Sequence, residues 1–172
     1  MDIDNYVIAE CMIRQLHARY ADAVWRKDLD AFADCFTQDC EWRIAGQNVA
    51  GRDNIRRFMG QVFPGFRRIL LTMRTPCLEV DGKTASARTY FTENSVMADG
   101  TPLYAIGSYY ERFVDEGDRW RFSWRVFRTE YAGPPDQTGP FHDNPDYGAP
   151  PAMPPMDTIP RDFSGKLTEL TT

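Results

Sequence analysis

A glutamate, Glu93, lies inside the aromatic and β-branched run RTYFTENSVM. A tyrosine, Tyr20, recurs with apolar residues at helical spacing, and two more, Tyr109 and Tyr110, stand side by side in SYYERF. Carboxylates move protons and phenols donate hydrogen bonds, and both act far more strongly out of water than in it. An inward Glu93 needs Arg88, Arg74 or a ligand as partner, because an unpaired buried charge is costly. Directed outward, it is an ordinary solvated or dimer-face charge. Tyr20 reads either as a core tyrosine with a satisfied hydroxyl or as a donor. Strand side chains alternate, so only one of Tyr109 and Tyr110 can face a cavity. Arg74 and Arg88 read as surface or interface residues, or as readers of an anionic substrate.

Trp42, Tyr90, Tyr104, Trp124 and Phe127 make a larger aromatic supply than a small core needs. That suits a flat apolar ligand and equally a hydrophobic dimer face. Trp120, after the DEGD turn, reads as structural and Asp22 as part of a solvated helix face. No metal is expected, since His17 and His142 are the only histidines and no carboxylate arrangement obviously joins them. Cys11, Cys35, Cys40 and Cys77 form no CxxC pair and sit in apolar-periodic segments, as buried free thiols do.

The elements that must position these groups are legible. Ile8, Met12, Leu16, Tyr20 and Ala23 predict a helix over 8–24. A second, short helix carries Leu29, Phe32, Ala33 and Phe36 behind a candidate N-cap, Asp28. CEWRI reads as a strand, AGQNVAG as a turn-rich connection, and RDNIRRFMGQVF as a third helix. After Pro64-Gly65 come ILLTMRTPCLEV, TASARTYFTENSVM, PLYAIGSYYERFV and RWRFSWRVFRTEY, with hairpin signals at Asp81-Gly82 and Asp99-Gly100. The reading is an α+β domain over residues 1–132, with helices on a curved, mixed but mostly antiparallel sheet. From Gly133 to 172 the chain holds nine of its twelve prolines. This predicts an extended tail anchored by Phe141, Tyr147, Met153, Met156 and Ile159. It would pack on its own domain, strap a neighbouring subunit, or cover a pocket.

The 172 residues suit one domain with a core and a pocket. A net charge of -5 with scattered Lys and Arg argues against nucleic acid. The N-terminus lacks a signal-peptide pattern and no run suits a membrane span, so the expected location is cytoplasmic.

The segment RYADAVWRKDLDAFADCFTQDCEWRIAG, the glycine-led helix from Gly51 to Val62 and the final DEGDRWRF resemble the SnoaL-like group of the NTF2-like superfamily, over roughly residues 5–131. That resemblance implies a cystatin-like, cone-shaped barrel with three N-terminal helices and a pocket between sheet and helices. It is weak for function, because the superfamily hosts many chemistries as well as binders. By resemblance to ketosteroid isomerases, Tyr20 and Tyr109 hold a substrate oxygen, while Ile44 falls close to their base. By resemblance to scytalone dehydratase, hexachlorocyclohexane dehydrochlorinase and bile acid dehydratases, the aspartate–histidine pair falls on Trp25 and Leu71, and a further carboxylate on Glu93. A leucine cannot take a proton, so the pair mechanism is disfavoured.

The expectation is therefore a pocket for a small hydrophobic compound, polyketide-, steroid- or terpenoid-like, lined by Trp25, Trp42, Leu71, Tyr90 and Phe127. Tyr20, Glu93 and Tyr109 are the catalytic candidates for a cofactor-independent lyase, isomerase or cyclase, with no cofactor, metal, nucleic acid or membrane, in a homodimer. Two other readings stand beside it: a non-catalytic binder, and a structural β subunit of a ring-hydroxylating dioxygenase.

Overall fold

Helix α1 spans Ile3–Arg26 and buries Ala9, Ile13, Leu16, His17, Tyr20, Ala23 and Val24. The structure is a computed structural model and describes residues 3–140. The buried stripe is rotated from the predicted one: Ile8 is exposed and Ala9 and Ile13 take the core side. A small residue at position 9 allows the helix to lie close to its neighbours, and each step along the chain turns the face by about 100°. Asp28 caps α2 (Leu29–Ala33) as predicted, its side chain accepting from the Ala31 amide at 2.9 Å. Lys27, at φ 55°, makes the reversal between the two helices, and its amide returns to the Val24 carbonyl.

Strand β1 (Phe36–Ile44) runs into β2 (Gln47–Ala50), where a turn-rich connection is predicted. Ala45 and Gly46 both have positive φ, 50° and 76°. They form a two-residue hairpin whose first position lacks the usual Asn or Gly, which hides it in the sequence. Helix α3 covers Arg52–Val62. The predicted single segment ILLTMRTPCLEV is two strands, β3 (Phe66–Met73) and β4 (Cys77–Asp81). Pro76 interrupts them, and both pair with one edge of β5 (Thr84–Met97). Then β6 (Pro102–Asp115) and β7 (Trp120–Gly133) complete an antiparallel meander.

The sheet order is β2-β1-β7-β6-β5-β3, with β1 and β7 parallel. It curves around the helices without closing, and the core lies between its concave face and α1–α3. Among the described residues no helix is long and apolar enough to cross a membrane. The predicted tail anchors and His142 lie outside the described residues.

Strands β5, β6 and β7 make one close approach at a glycine. Gly107 sits at a register shift in the β6–β7 pair. A Cβ there would come within 2.0 Å of the Arg128 carbonyl and 2.6 Å of the Phe91 ring. Gly107→Ala is therefore expected to lower stability by about 1–3 kcal/mol, read as a lower urea midpoint. An unchanged midpoint would show that the strands are not this close.

Candidate active-site cavity

Strand pairing decides which side chains share a chamber. Across the sheet, Leu71, Glu93, Ala105 and Ala132 stand in one row. All four line a cavity of about 220 Å³, which α1 closes with Tyr20 and Val24 and α3 with Met59 and Val62. The pleat places Glu93 on the same face as Thr89, Phe91 and Ser95. Of the adjacent tyrosines, Tyr109 lines the cavity while Tyr110 does not. Trp42, Leu71 and Phe127 are also in the wall.

The Glu93 carboxylate accepts the Ser95 hydroxyl at 2.5 Å, its one hydrogen-bond partner among the described residues. Burial pushes its pKa up, and the Ser95 bond offsets this only in part. Neither Arg88 nor Arg74 reaches it. Arg88 lies over the Tyr90 ring at 5.5 Å, on the other face of β5. Tyr20 and Tyr109 interact with each other and pack edge to face, ring centroids 6.4 Å apart. Burial raises both phenols above their ordinary range, so both keep their protons and can donate. The Trp42 indole N–H, 1% exposed as a residue, has no partner among the described residues.

Behind the phenols lies a polar cluster that sequence reasoning missed. Glu111 and Arg125, both 0% exposed, are cross-strand neighbours. The Arg125 Nε–H donates to Glu111 Oε1 at 3.0 Å, with Nη2 2.7 Å from the same oxygen. The other carboxylate oxygen takes the Thr89 hydroxyl at 2.6 Å and meets His17 Nε2 at 2.9 Å. Burial alone would raise the Glu111 pKa, but His17, Arg125 and Thr89 outweigh it and hold it at about 2. The guanidinium carbon lies 3.9 Å from the Tyr109 ring centroid, 4.0 Å from that of Phe122 and 4.3 Å from that of Tyr20. A desolvated cation on aromatic faces contributes about 2 kcal/mol or more per favourable contact. The cation thus fixes both rings that reach the cavity.

Other expectations need correction. Trp25 is 50% exposed and does not line the cavity, because Val24 is the last inward residue of α1 and the next position turns to solvent. Tyr90 sits on the opposite face of β5 from Glu93 and does not line it either. Cys35 and Cys40 are buried, but Cys11 and Cys77 are exposed. Burial pushes the two inner thiols up to about 11 and about 12, so neither serves as a thiolate nucleophile near neutrality. A carboxylate does join His17, although none was apparent in the sequence. The available signal was parity: Glu111 is two residues from Tyr109, on the same face.

A curved open sheet with three helices on its concave side, enclosing an acid and two phenols, defines an NTF2-like fold with a cavity suited to acid–base chemistry. The SnoaL-like domain profile matches residues 6–126, and the chain belongs to that family. No curated protein matches it. Among solved structures, a substituted form of Rv3472, a protein of unknown function from Mycobacterium tuberculosis, is 26% identical. It has a TM-score of 0.68, and the match covers 75% of this chain and 76% of that one. A Novosphingobium aromaticivorans protein provisionally assigned as a scytalone dehydratase is 18% identical, with a TM-score of 0.73, over 86% and 99%. Hexachlorocyclohexane dehydrochlorinase LinA-type3 from Novosphingobium barchaimii is 16% identical, with a TM-score of 0.69, over 82% and 98%. The last two likenesses concern the fold alone.

Glu111 titrates below its ordinary value of 4.5, so its ionised form stabilises the fold above that value and this stabilisation fades as pH falls toward about 2. Thermal melts between these limits should show the loss, and Glu111→Gln should flatten that part of the profile. Arg125→Met, which strands the carboxylate, should cost about 3–5 kcal/mol near neutrality. An acid profile that Glu111→Gln leaves unaltered would assign the loss to other carboxylates.

Proposed function

We propose that this protein is a cofactor-independent acid–base enzyme, a lyase or isomerase acting on a small hydrophobic carbonyl compound. The observation that carries the reading is Glu93: a carboxylate with a raised pKa in an apolar chamber, hydrogen-bonded among the described residues to Ser95 alone, and facing two protonated phenols. Glu93 takes a proton from the carbon next to the carbonyl. The electron pair passes to the carbonyl oxygen, where Tyr20 and Tyr109 donate hydrogen bonds to the developing charge. Reprotonation at another carbon gives an isomer; expulsion of a leaving group from the β-carbon gives an alkene. Leu71, at the position the resemblance gives to a histidine, contributes apolar wall and no proton transfer.

Size narrows the substrate. An apolar cavity of about 150 Å³ accepts benzene, so about 220 Å³ suits one or two rings better than a four-ring steroid. A second reading, a binder without turnover, draws on the same apolar lining.

The test is deuterium exchange next to the carbonyl, followed by NMR with one- and two-ring ketones such as cyclohexenone and 2-tetralone. Wild-type protein should accelerate exchange, more so as pH rises through the raised pKa of Glu93, because the ionised form is the base. Glu93→Gln should lower the rate at least about 100-fold and Tyr20→Phe by about 100-fold. Unchanged exchange in both variants removes the mechanism. Tight binding with no exchange favours the binder.

A further inference from the structure

Leu71 lines a second cavity as well as the Glu93 chamber. That cavity, of about 310 Å³, lies where α1 passes the junction between β3 and β4, and Leu71 is the one residue the two linings share. Its character is opposite to that of the chamber. Arg14 and Arg74 line it, both exposed, together with His17, Thr72 and Thr75. The chamber lining holds no basic residue.

Strand geometry shows how thin the shared wall is. Leu71 and Glu93 are partners across β3 and β5. The Arg74 amide bonds to the Tyr90 carbonyl, so the bonds between these strands fall at positions 74 and 72, and Leu71 and Glu93 form a non-hydrogen-bonded pair. Such pairs bring side chains closest, with Cα atoms about 4.5 Å apart. The Leu71 side chain therefore stands against Glu93 on the chamber face. Its own N–H and C=O point away from β5, toward the edge where the second cavity lies. The residue is 7% exposed, so it fills the space it divides.

Nothing else that faces Glu93 carries a charge. Ser95 on the same strand donates its hydroxyl, Tyr109 on β6 and Tyr20 on α1 are protonated phenols, and the residues that β1, β3, β7 and α3 contribute to the chamber are uncharged. Burial raises the carboxyl and Ser95 offsets this in part, with no basic group acting on it. Water or a guanidinium brought within reach would lower it again.

We infer that Leu71 is a positioning residue that insulates the Glu93 carboxylate, its side chain keeping the water and the arginine charges of the second cavity out of the chamber. The inference deepens the reading of Glu93 as the base. A carboxylate that holds its proton more tightly also abstracts one more readily.

The test follows the Glu93 side-chain carboxyl by carbon-13 NMR as pH is raised, in the whole protein without substrate. Leu71→Ala should move its titration down toward the ordinary value of 4.5, and Leu71→Ile should keep it where wild type has it. Arg14→Gln combined with Arg74→Gln, both at exposed positions, should leave the wild-type titration in place and move that of Leu71→Ala part of the way back up. In the deuterium-exchange assay, Leu71→Ala should shift the rise in rate to lower pH and lower its plateau about tenfold. Glu93 that titrates alike in wild type and Leu71→Ala overturns the inference, as does a wild-type titration that moves when the arginines are removed. The second outcome needs no change at Leu71, so the inference stays testable even if Leu71→Ala fails to fold. Wild type without exchange activity, but with Glu93 titrating as expected in every variant, removes the reaction and upholds the insulation.

Discussion

A carboxylate and a guanidinium, Glu111 and Arg125, lie wholly out of water where α1 crosses the middle of the sheet. Desolvating two charges costs several kcal/mol each, and only close geometry with every lone pair used can offset it. Here Thr89 and His17 take the second carboxylate oxygen, while the rings of Tyr20, Tyr109 and Phe122 cover the cation. The cluster joins α1, β5, β6 and β7 through atoms that cannot be rearranged one at a time. It also holds the two phenols in place, and through them the inner end of the apolar cavity.

The two cavities follow from that arrangement. On one side, Tyr20 and Tyr109 line a chamber whose one carboxylate is Glu93. Burial favours the neutral acid and keeps the phenols protonated, so the chamber contains proton carriers with no permanent ion pair to quench them. On the other side, His17 turns one nitrogen to Glu111 and leaves the other without a partner among the described residues, beside a cavity lined by Arg14 and Arg74. Leu71 belongs to both walls. The contrast is one of dielectric and charge: an enclosed apolar chamber strengthens hydrogen bonds to a developing charge, whereas exposed arginines attract a charge already formed.

Much of the frame was legible in the chain. Helical spacing announced α1, Asp28 announced the start of α2, and the Asp-Gly turns separated β4 from β5 and β5 from β6. The predicted span TASARTYFTENSVM coincides with β5. What failed did so for local reasons. Ala45 in a turn position that usually needs Asn or Gly concealed β2, and apolar content alone could not show that Pro76 divides β3 from β4. Trp25 was expected in the pocket because relatives carry chemistry at that position, but the face of a helix is set by the angle to its inward neighbours, and Val24 precedes it.

The sequence by itself determined which residues share a face of a single helix or strand, since that depends only on a repeat of 3.6 or 2 residues. Tertiary structure alone decided which of two opposite faces each strand turned inward, and hence that Glu93 and Tyr109 look into the cavity and Tyr90 does not. It alone also brought His17 to Glu111, 94 residues away. Periodicity is a property of neighbours along the chain, while a buried charge network is chosen by the packing of elements whose separation in sequence carries no mark of their contact.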